Sequence, residues 1–331
     1  MRSQAQESHK PFRALGVDLG GTRIKVGVVD EQGRLSNMKK YSTRVDLGRE
    51  ALTRRIIRII QRSLSEDADT PKNPIAGIGL GAAGMIDVRE GVVLLSPNFP
   101  DWQQVPLTRL ISEKTGLPTF LDNDANAITY GEKWVGAGID MNNFACLTLG
   151  TGVGSGLMLG GRLWYGSHGS GPEIGHMTIH PKGRRCLCGN RGCLETLASA
   201  GWLVKMASEK RGAKSLIPNP SLKDRAPLSS KDLYLLALQG DLFCRGLFEN
   251  LGEALGIAIA NLIHILSLEG VVLGGGLSRA ATIFLPSLEK EFKKRLTLVP
   301  PENIKIRVSR LLEKSGVLGA AGIALERLRK G

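Results

Sequence analysis

LGTGVGSG, residues 149–156, joins two short β-rich runs of sequence through a turn that contains four glycines. LGGTR, residues 19–23, joins two further runs of the same kind near the N-terminus. Two strands around a glycine turn are typical of a β-hairpin and differ from the strand-to-helix geometry of a Rossmann or Walker loop. The repeated unit, with roughly 130 residues between Thr22 and Thr151, predicts two related α/β domains.

Length and composition are those of an ordinary globular protein. The 331 residues suffice for roughly two domains with buried cores. Apolar residues make up 42% of the chain and charged residues 23%, which excludes disorder, collagen and coiled coil as the main class. The sequence shows neither a secretory signal nor an apolar run of about 18 residues, so we expect a soluble cytoplasmic protein that does not contact membranes.

The net charge of +13 is compatible with nucleic acid, an anionic membrane or a phosphate-rich ligand as partner. Aromatic residues make up only 5% of the chain and are not interleaved with the basic ones, as a single-strand binder would require. We therefore interpret the charge mainly as solvated helix faces with some attraction for nucleotide, and expect no nucleic-acid partner.

Three glycine-rich turns are candidates for binding phosphate. Glycine lets backbone N–H groups approach a ligand closely, and an adjacent Thr hydroxyl adds a donor. The turns around Thr22 and Thr151 have this composition, and a third bend follows a predicted strand at 274–276. A tight hairpin without a ligand is the alternative for any one turn, but three together favour a nucleotide. Asp18, at the end of the first strand, is a candidate to hold Mg²⁺ through a water, or else a hairpin cap.

Asp122, Asn123 and Asp124 form an acidic step between a predicted strand and a predicted helix. Phosphoryl transfer to an alcohol needs a carboxylate that orients the hydroxyl and accepts its proton. Asn and Asp also favour helix starts, so an N-cap is the alternative role. Both roles are possible here if different residues take them.

A cysteine-rich segment predicts a closed structural zinc site. Three thiolates and one imidazole match such a site better than free buried thiols or a redox pair, because only the site explains both the spacing and the surrounding glycines. A closed site with four protein ligands leaves no open position for catalysis by the metal. The candidate ligands are His176, Cys186, Cys188 and Cys193.

Two carboxylates flank this segment. Glu173 lies three residues before His176, and Glu195 two residues after Cys193. Carboxylates fixed beside a structural metal are suited to accept hydrogen bonds from vicinal sugar hydroxyls. Solvated surface charge is the alternative.

Taken together, these residues resemble the ROK family of sugar kinases and related repressors, most closely its glucokinases. The family implies an actin-like ATPase fold of the ribonuclease H-like class, with two α/β domains around a central cleft. We therefore expect a small domain at 12–121, with a closing helix at 317–330 packed back on it, and a large domain at 122–316 with a zinc loop at 166–195. The motifs that carry the resemblance are Gly16–Thr22, Asp122–Asn126, Leu149–Gly154, Glu173–His176, Cys186–Glu195 and Val272–Gly276.

The family's motifs imply a role for each matching residue. Asp124 would be the general base, and His176 would bind zinc with one nitrogen and sugar with the other. We therefore expect zinc loss to impair sugar binding without touching the ATP turns. Pro172 departs from the small residue expected before Glu173, which leaves the fine sugar preference open. The sugar would be held by Asn98, Asn123, Asp124, Glu173, His176 and Glu195. The first phosphate turn would comprise Asp18, Gly20, Gly21, Thr22 and Lys25, the second Gly150, Thr151 and Gly152, and the adenosine side Gly274 and Gly275.

The resemblance implies ATP-dependent phosphorylation of D-glucose at its 6-hydroxyl, with Mg²⁺ as a cofactor and zinc as a structural metal. Fructose, mannose, N-acetylglucosamine and N-acetylmannosamine remain alternative substrates, and polyphosphate an alternative donor. A sugar-responsive transcriptional regulator without its DNA-binding module is the other alternative. About a dozen residues precede the first predicted strand, too few for a helix-turn-helix module, which favours the kinase. The family's habit suggests a homodimer or homotetramer.

Overall fold

The described part of the chain, residues 12–67, 73–167, 169, 171–212 and 228–330 of a computed structural model, divides into two compact units. Unit 1 comprises Met1–Val135, Gly166–Ser170 and Lys314–Gly331, and unit 2 comprises Gly136–Tyr165 and Gly171–Glu313. The helix that follows the acidic step therefore falls in unit 1, whereas the expected boundary at residues 121–122 places it in the second domain.

Unit 1 contains a five-stranded sheet with the strand order β3-β2-β1-β4-β8. Strands β1, β2 and β3 are antiparallel neighbours, and β4 and β8 continue the sheet in parallel with β1. A separate three-stranded sheet comprises β5, β6 and β7. The strands are β1 (Arg13–Leu19), β2 (Arg23–Asp30), β3 (Leu35–Ser42), β4 (Ile75–Ala82), β5 (Met85–Asp87), β6 (Val92–Leu95), β7 (Gln103–Val105) and β8 (Thr119–Asn123). The helices are α1 (Gly48–Ser65), α2 (Leu107–Thr115), α3 (Asp124–Val135) and α9 (Ser315–Lys330).

Unit 2 contains a second five-stranded sheet, with the order β11-β10-β9-β12-β13. Its strands β9, β10 and β11 are antiparallel neighbours, and β12 and β13 continue in parallel with β9. The strands are β9 (Phe144–Leu149), β10 (Val153–Leu159), β11 (Arg162–Leu163), β12 (Gly270–Gly274) and β13 (Lys305–Val308). The helices are α4 (Glu195–Ala198), α5 (Ala200–Gly212), α6 (Ser230–Leu238), α7 (Leu242–Leu266) and α8 (Ala281–Arg295).

The two sheets have the same strand order and the same sequence of antiparallel and parallel pairings. Each begins with a hairpin closed by one of the glycine turns, β1–β2 in unit 1 and β9–β10 in unit 2. This correspondence confirms the prediction of two related α/β units that was based on the repeated turn.

Glycines in the strands of unit 1 let the C-terminal helix α9 lie directly on the sheet. A Cβ atom on Gly79 would come within 1.8 Å of the Ala320 carbonyl oxygen, and one on Gly16 within 2.1 Å of the Val317 carbonyl oxygen. On the opposite side of the helix, a Cβ atom on Gly319 would lie 1.6 Å from the carbonyl oxygen of Ala127 in α3. Helix α3 therefore belongs to unit 1 because α9 packs against it as closely as against the sheet.

Helix α7 is the central element of the unit 2 core. Its buried residues run along most of its length, from Cys244 to Ile263. By length and composition it would be able to cross a membrane, but 67% of its most apolar window is buried inside the protein. Such burial is typical of the core helix of a globular domain.

Candidate functional site

The first glycine turn closes the β1–β2 hairpin of unit 1. The Gly20 N–H donates to the carbonyl oxygen of Arg23 at 3.1 Å. Thr43, which follows β3, donates its hydroxyl to the Gly20 carbonyl at 2.7 Å and its N–H to the Thr22 carbonyl at 3.0 Å. Gly21 faces Asn98, whose Cγ would lie 3.0 Å from a Cβ atom on the glycine. The structure therefore fixes this turn from the neighbouring strand and places Asn98 beside it.

A buried ion pair lies directly behind this turn. Asp18 and Lys25 are opposite each other in the register of the hairpin, and Lys25 Nζ donates to Asp18 Oδ2 at 2.7 Å. The Asp18 side chain is 12% exposed and the Lys25 side chain 22% exposed. The pair holds the ammonium group next to the turn, where it is suited to attract phosphate. One Asp18 oxygen is engaged by Lys25, so a cation at Asp18 would have to compete with that ammonium.

The acidic step separates into three roles. Asp122 is fully buried, and its Oδ1 accepts hydrogen bonds from the Asn123 N–H at 2.8 Å and from Asn126 Nδ2 at 3.0 Å. Asn123 Oδ1 accepts from the N–H groups of Ala125 and Asn126 at 2.8 and 3.3 Å, which caps α3. Asp124 is half-buried in the first turn of α3, with its Oδ1 accepting from the Ala125 N–H at 2.9 Å.

These contacts make Asn123 the cap of α3 and leave Asp124 in the first turn of the helix. A helix N-terminus favours a negatively charged side chain at such a position. Asn123 also donates Nδ2 to the carbonyl of Gly84 at 3.1 Å. Next to Gly84, the Ala83 carbonyl accepts the hydroxyl of Ser96, whose oxygen accepts the Asn98 N–H at 3.3 Å. Residues 83–84 therefore connect the acidic step with the loop that carries Asn98.

The second glycine turn, in unit 2, is held by the start of α5. The Gly150 N–H donates to the Gly152 carbonyl at 2.9 Å, which closes the β9–β10 hairpin. The Ala200 N–H donates to the Gly150 carbonyl at 2.8 Å, and the Gly201 N–H to the Thr151 carbonyl at 3.3 Å. The carbonyl groups of this turn are thus engaged by the chain segment that follows the last cysteine of the cluster.

Glu195 connects the second turn to the cysteine cluster. Its Oε2 accepts a hydrogen bond from the Val153 N–H at 3.0 Å, and its Oε1 lies 3.8 Å from Cys186 Sγ. A Cβ atom on Gly152 would lie 2.5 Å from the same Oε2, so glycine at this position makes room for the carboxylate. The segment from Cys193 to Gly201 therefore bonds directly to this turn and connects it with the cysteine cluster.

The third glycine bend adjoins the second turn within unit 2. Gly274 ends β12, and Gly275 follows with a φ of 82°, in the left-handed region. A Cβ atom on Gly275 would lie 2.4 Å from the carbonyl oxygen of Leu149, at the end of β9. The backbone of this bend therefore requires glycine for two separate reasons, and the bend lies next to the residue that begins the second turn.

The four predicted zinc ligands converge on one point. Their ligand atoms all lie within 4.8 Å of one another, with Cys186 Sγ 3.7 Å from His176 Nδ1 and Cys188 Sγ 3.7 Å from Cys193 Sγ. Zinc–sulfur bonds of about 2.3 Å in a tetrahedron place two sulfurs about 3.8 Å apart, so the spacing fits a closed zinc site. Desolvation and neighbouring thiols raise the pKa of Cys193 to about 12, so metal binding there must displace a thiol proton.

Glycines shape the loop that carries these ligands. A Cβ atom on Gly192, whose φ is 67°, would lie 1.7 Å from the His180 carbonyl oxygen, and one on Gly183 would lie 2.8 Å from the same atom. The Gly189 N–H donates to the Cys186 carbonyl at 3.1 Å and closes a tight turn that contains Cys188. The loop is therefore folded around the ligand positions by its own backbone.

Glu173 and His176 lie in one short turn of unit 2. The His176 N–H donates to the Glu173 carbonyl at 3.0 Å across the 3₁₀ turn Ile174–His176. Desolvation raises the pKa of the Glu173 carboxyl, His176 opposes the rise and Glu195 adds to it. The structure thus brings Glu173, His176 and Glu195 into one electrostatic neighbourhood, beside the cysteines.

Comparison with known proteins identifies the family. The model of the ROK family matches residues 14–327. This chain belongs to the ROK family. A glucokinase from Thermotoga maritima is 39% identical over 323 residues, covering 96% of this chain and 98% of that protein. A xylose repressor from Caldicellulosiruptor bescii is 32% identical, covering 94% of this chain and 77% of the repressor.

Solved structures agree with this assignment. A ROK family glucokinase from Streptomyces griseus in complex with glucose and AMPPNP is 32% identical, with a TM-score of 0.79 over 96% of this chain and 100% of that one. A ROK hexokinase from Thermus thermophilus gives a TM-score of 0.81 at 32% identity, over 97% of this chain and 100% of that one. The actin-like ATPase fold implied by the sequence motifs is confirmed.

Proposed function

We propose that this chain is an ATP-dependent glucokinase, which makes glucose 6-phosphate from D-glucose. The observation that carries the proposal is the nearly end-to-end similarity to a glucokinase, in a chain that retains both hairpin turns and the Cys/His cluster. ATP is proposed as the donor because the similar Streptomyces griseus glucokinase is in complex with glucose and an ATP analogue.

Asp124 is proposed as the general base. Asp122 is fully buried and bonded to Asn123 and Asn126, which makes it structural, while Asp124 is half-buried at a helix start. Its carboxylate would accept the proton of the sugar 6-hydroxyl while that oxygen bonds to the γ-phosphorus and the bridging oxygen leaves with ADP. Phosphoryl transfer depends mainly on positioning and charge stabilisation, and a positioned base typically contributes about 10²–10⁴-fold to the rate.

Sugar binding is proposed for six residues that the motifs of the family single out. They are Asn98, Asn123, Asp124, Glu173, His176 and Glu195. Each carboxyl group offers two oxygens and each side-chain amide offers an oxygen and a nitrogen, so these groups are suited to bind paired sugar hydroxyls. Asn123 and Glu195 already accept backbone N–H bonds, so they would bind the sugar with their remaining hydrogen-bonding capacity.

Phosphate binding is proposed for the two hairpin turns and adenosine binding for the third bend. The residues are Gly20, Gly21, Thr22 and Lys25, with Asp18 behind them, then Gly150, Thr151 and Gly152, and on the adenosine side Gly274 and Gly275. Mg²⁺ would be held mainly by the ATP phosphates and water, because Lys25 already engages one oxygen of Asp18. Zinc at His176, Cys186, Cys188 and Cys193 would supply structure and no chemical step.

A coupled assay over a panel of hexoses tests the proposal. We expect D-glucose with ATP to give the highest kcat/KM, above fructose, mannose, N-acetylglucosamine, N-acetylmannosamine and any of these with polyphosphate. A higher value for another sugar or donor would reassign the substrate within the kinase class. No phosphorylation of any hexose, together with tight sequence-specific binding in a DNA gel shift, would contradict the proposal and favour a regulator. The proposal includes a cytoplasmic homodimer or homotetramer, which size-exclusion chromatography with light scattering tests.

Replacement of the proposed base tests its role. Asp124→Asn should lower kcat by about 10²–10⁴-fold and leave the Kd for ATP within about twofold, because the amide cannot accept the proton. Asp101→Asn, an exposed aspartate of the same unit, is the matched control and should retain activity. Near-normal turnover by Asp124→Asn would show that another group takes the proton.

A further inference from the structure

Ser155 is a buried serine on β10, 7% exposed, whose hydroxyl bonds to the chain on both sides of Glu173. Its Oγ donates to the carbonyl oxygen of Pro172 at 2.6 Å and accepts from the N–H of Ile174 at 3.0 Å. A serine hydroxyl has one proton to donate and can accept at the same time, so both partners are satisfied by one atom. The two peptide groups next to Glu173 are therefore fixed to the strand by Ser155.

The remaining contacts of the segment leave it little freedom to shift along β10. Ile174 is buried in the core of unit 2, and a Cβ atom on Gly175 would lie 2.2 Å from the Val153 carbonyl oxygen. The carbonyl of Glu173 itself accepts the His176 N–H at 3.0 Å. The backbone around Glu173 is thus held at successive peptide groups, and Ser155 is the side chain that supplies two of these bonds.

The hydrogen bond between Ser155 and Pro172 gives the serine a specific structural role. Proline has no N–H, so the only backbone hydrogen-bonding group of Pro172 is its carbonyl, and Ser155 engages it. Alanine at position 155 would leave the carbonyl of half-buried Pro172 and the N–H of buried Ile174 without this partner, which is costly. Because the other contacts keep the segment on β10, the loss would change the tilt of these two peptide groups and, with it, the direction of the Glu173 carboxyl.

We propose that Ser155 is a positioning residue that sets the selectivity for sugars by fixing the orientation of Glu173. This inference rests on the proposed function, in which Glu173 contacts a sugar hydroxyl. Ser155 does not contact the reacting atoms, and it influences sugar binding only through the position of Glu173. It therefore acts on the affinity for the sugar and on the choice between sugars, and not on the affinity for ATP.

Steady-state kinetics of Ser155→Ala test the inference. We expect the KM for glucose to rise about tenfold, the value of roughly one well-placed hydrogen bond, with kcat and the KM for ATP within about twofold. The kcat/KM ratio between glucose and mannose should fall toward one. Ser155→Thr retains the hydroxyl and should restore the ratio. Ser63→Ala, which removes a hydroxyl bonded to the Ile59 carbonyl in α1, is the matched control and should change none of these values.

A double-mutant cycle with Glu173→Gln separates positioning from a general structural role. If Ser155 acts through Glu173, Ser155→Ala in the Glu173→Gln background should change the KM for glucose less than about twofold. Additive effects, or an equal loss of kcat/KM for every sugar, would overturn the inference while the proposed function stands. If Ser155→Ala does not fold, Ser155→Cys keeps the volume with a weaker donor, and unchanged selectivity in that variant would equally overturn it. A wild-type chain that phosphorylates no hexose would remove the proposed function and this inference with it.

Discussion

The two glycine hairpins occupy equivalent places in two sheets of the same topology, yet different structures support them. The turn of unit 1 is held by side chains of its own sheet region, Thr43 and the pair of Lys25 with Asp18. The turn of unit 2 is held by Glu195 and by backbone N–H groups at the start of α5, which follow Cys193 closely in sequence. Within the described residues, the two turns thus share a strand order but differ in support, because the second turn bonds to the segment that follows the cysteine cluster.

Among the variants that test this difference between the two turns, removal of a proposed zinc ligand should have the largest effect on activity. Cys193→Ser, at a fully buried ligand position, should lower kcat/KM by at least about 100-fold, because metal binding and local folding are coupled. It should raise the KM for both glucose and ATP, since the segment that follows Cys193 holds the second turn. Steady-state kinetics beside metal analysis by mass spectrometry measures both consequences.

The control for this variant is Cys244→Ala, a buried cysteine outside the cluster. This variant should keep the zinc content of the wild type and should only have a lower free energy of unfolding. If Cys193→Ser loses zinc and sugar affinity but keeps the wild-type KM for ATP, the second turn does not depend on the metal, and the contrast between the two hairpins fails. Limited proteolysis should show new cleavage in unit 2 of the zinc-free variant and none in the first hairpin.

Removal of the ammonium group should affect the first turn alone. Lys25→Met should raise the KM for ATP about tenfold and destabilise the fold by about 2 kcal/mol, because Asp18 is left as a largely buried unpaired carboxylate. Denaturant unfolding and ATP kinetics give the two values.

The double variant Asp18→Asn with Lys25→Met separates the two effects. It should recover most of the stability, because no buried charge is left unpaired, while the KM for ATP stays high. Zinc content and the KM for glucose should be those of wild type in both variants. Recovery of ATP affinity in the double variant would mean that the ion pair of Asp18 with Lys25 is structural and that Lys25 does not contact phosphate.

Local signals explain what the sequence predicts well. The convergence of His176 with the three cysteines is predictable because these residues are close in sequence and glycines shape the loop between them, and each hairpin is predictable because it is a local unit. The close approach of α9 to the sheet has no such signal, because Gly79 and Ala320 are distant in sequence and no periodicity connects them. The placement of α3 in unit 1 has no such signal either, since its packing on α9 decides it.

The sequence predicts which residues are candidates for the site better than it predicts the hydrogen bonds and ion pairs that they form. Asp18 and Lys25 were both candidates, but their ion pair follows from the hairpin register. Thr43 and Ser155 were missed because each is an ordinary polar residue that reaches its partners only through folding. A serine within a glycine-rich strand, where a buried hydroxyl needs partners, is the one signal by which Ser155 stands out.

Alanine substitution of one glycine in each of the two turns should give the smallest and most selective effects. Neither Gly20 nor Gly152 has a positive φ, so alanine is tolerated by the backbone at both. At Gly152 the new Cβ would displace Glu195 Oε2, 2.5 Å away, and the bond to Val153 would be lost. Because a flexible carboxylate can move aside, we expect a loss of only about 1 kcal/mol in stability. The KM for both glucose and ATP should rise about threefold to fivefold, since Glu195 bonds to the turn and is proposed to bind the sugar as well.

At Gly20 the new Cβ would lie 3.1 Å from the carbonyl oxygen of Arg23, within the same hairpin. The backbone must give by a few tenths of an ångström there, and the change stays within the turn that is proposed to bind phosphate. Gly20→Ala should therefore change the KM for ATP by about twofold to threefold and leave the KM for glucose at the wild-type value. If Gly20→Ala raised the KM for glucose as much as Gly152→Ala does, both turns would influence sugar binding. The different supports of the two hairpins would then have no functional consequence.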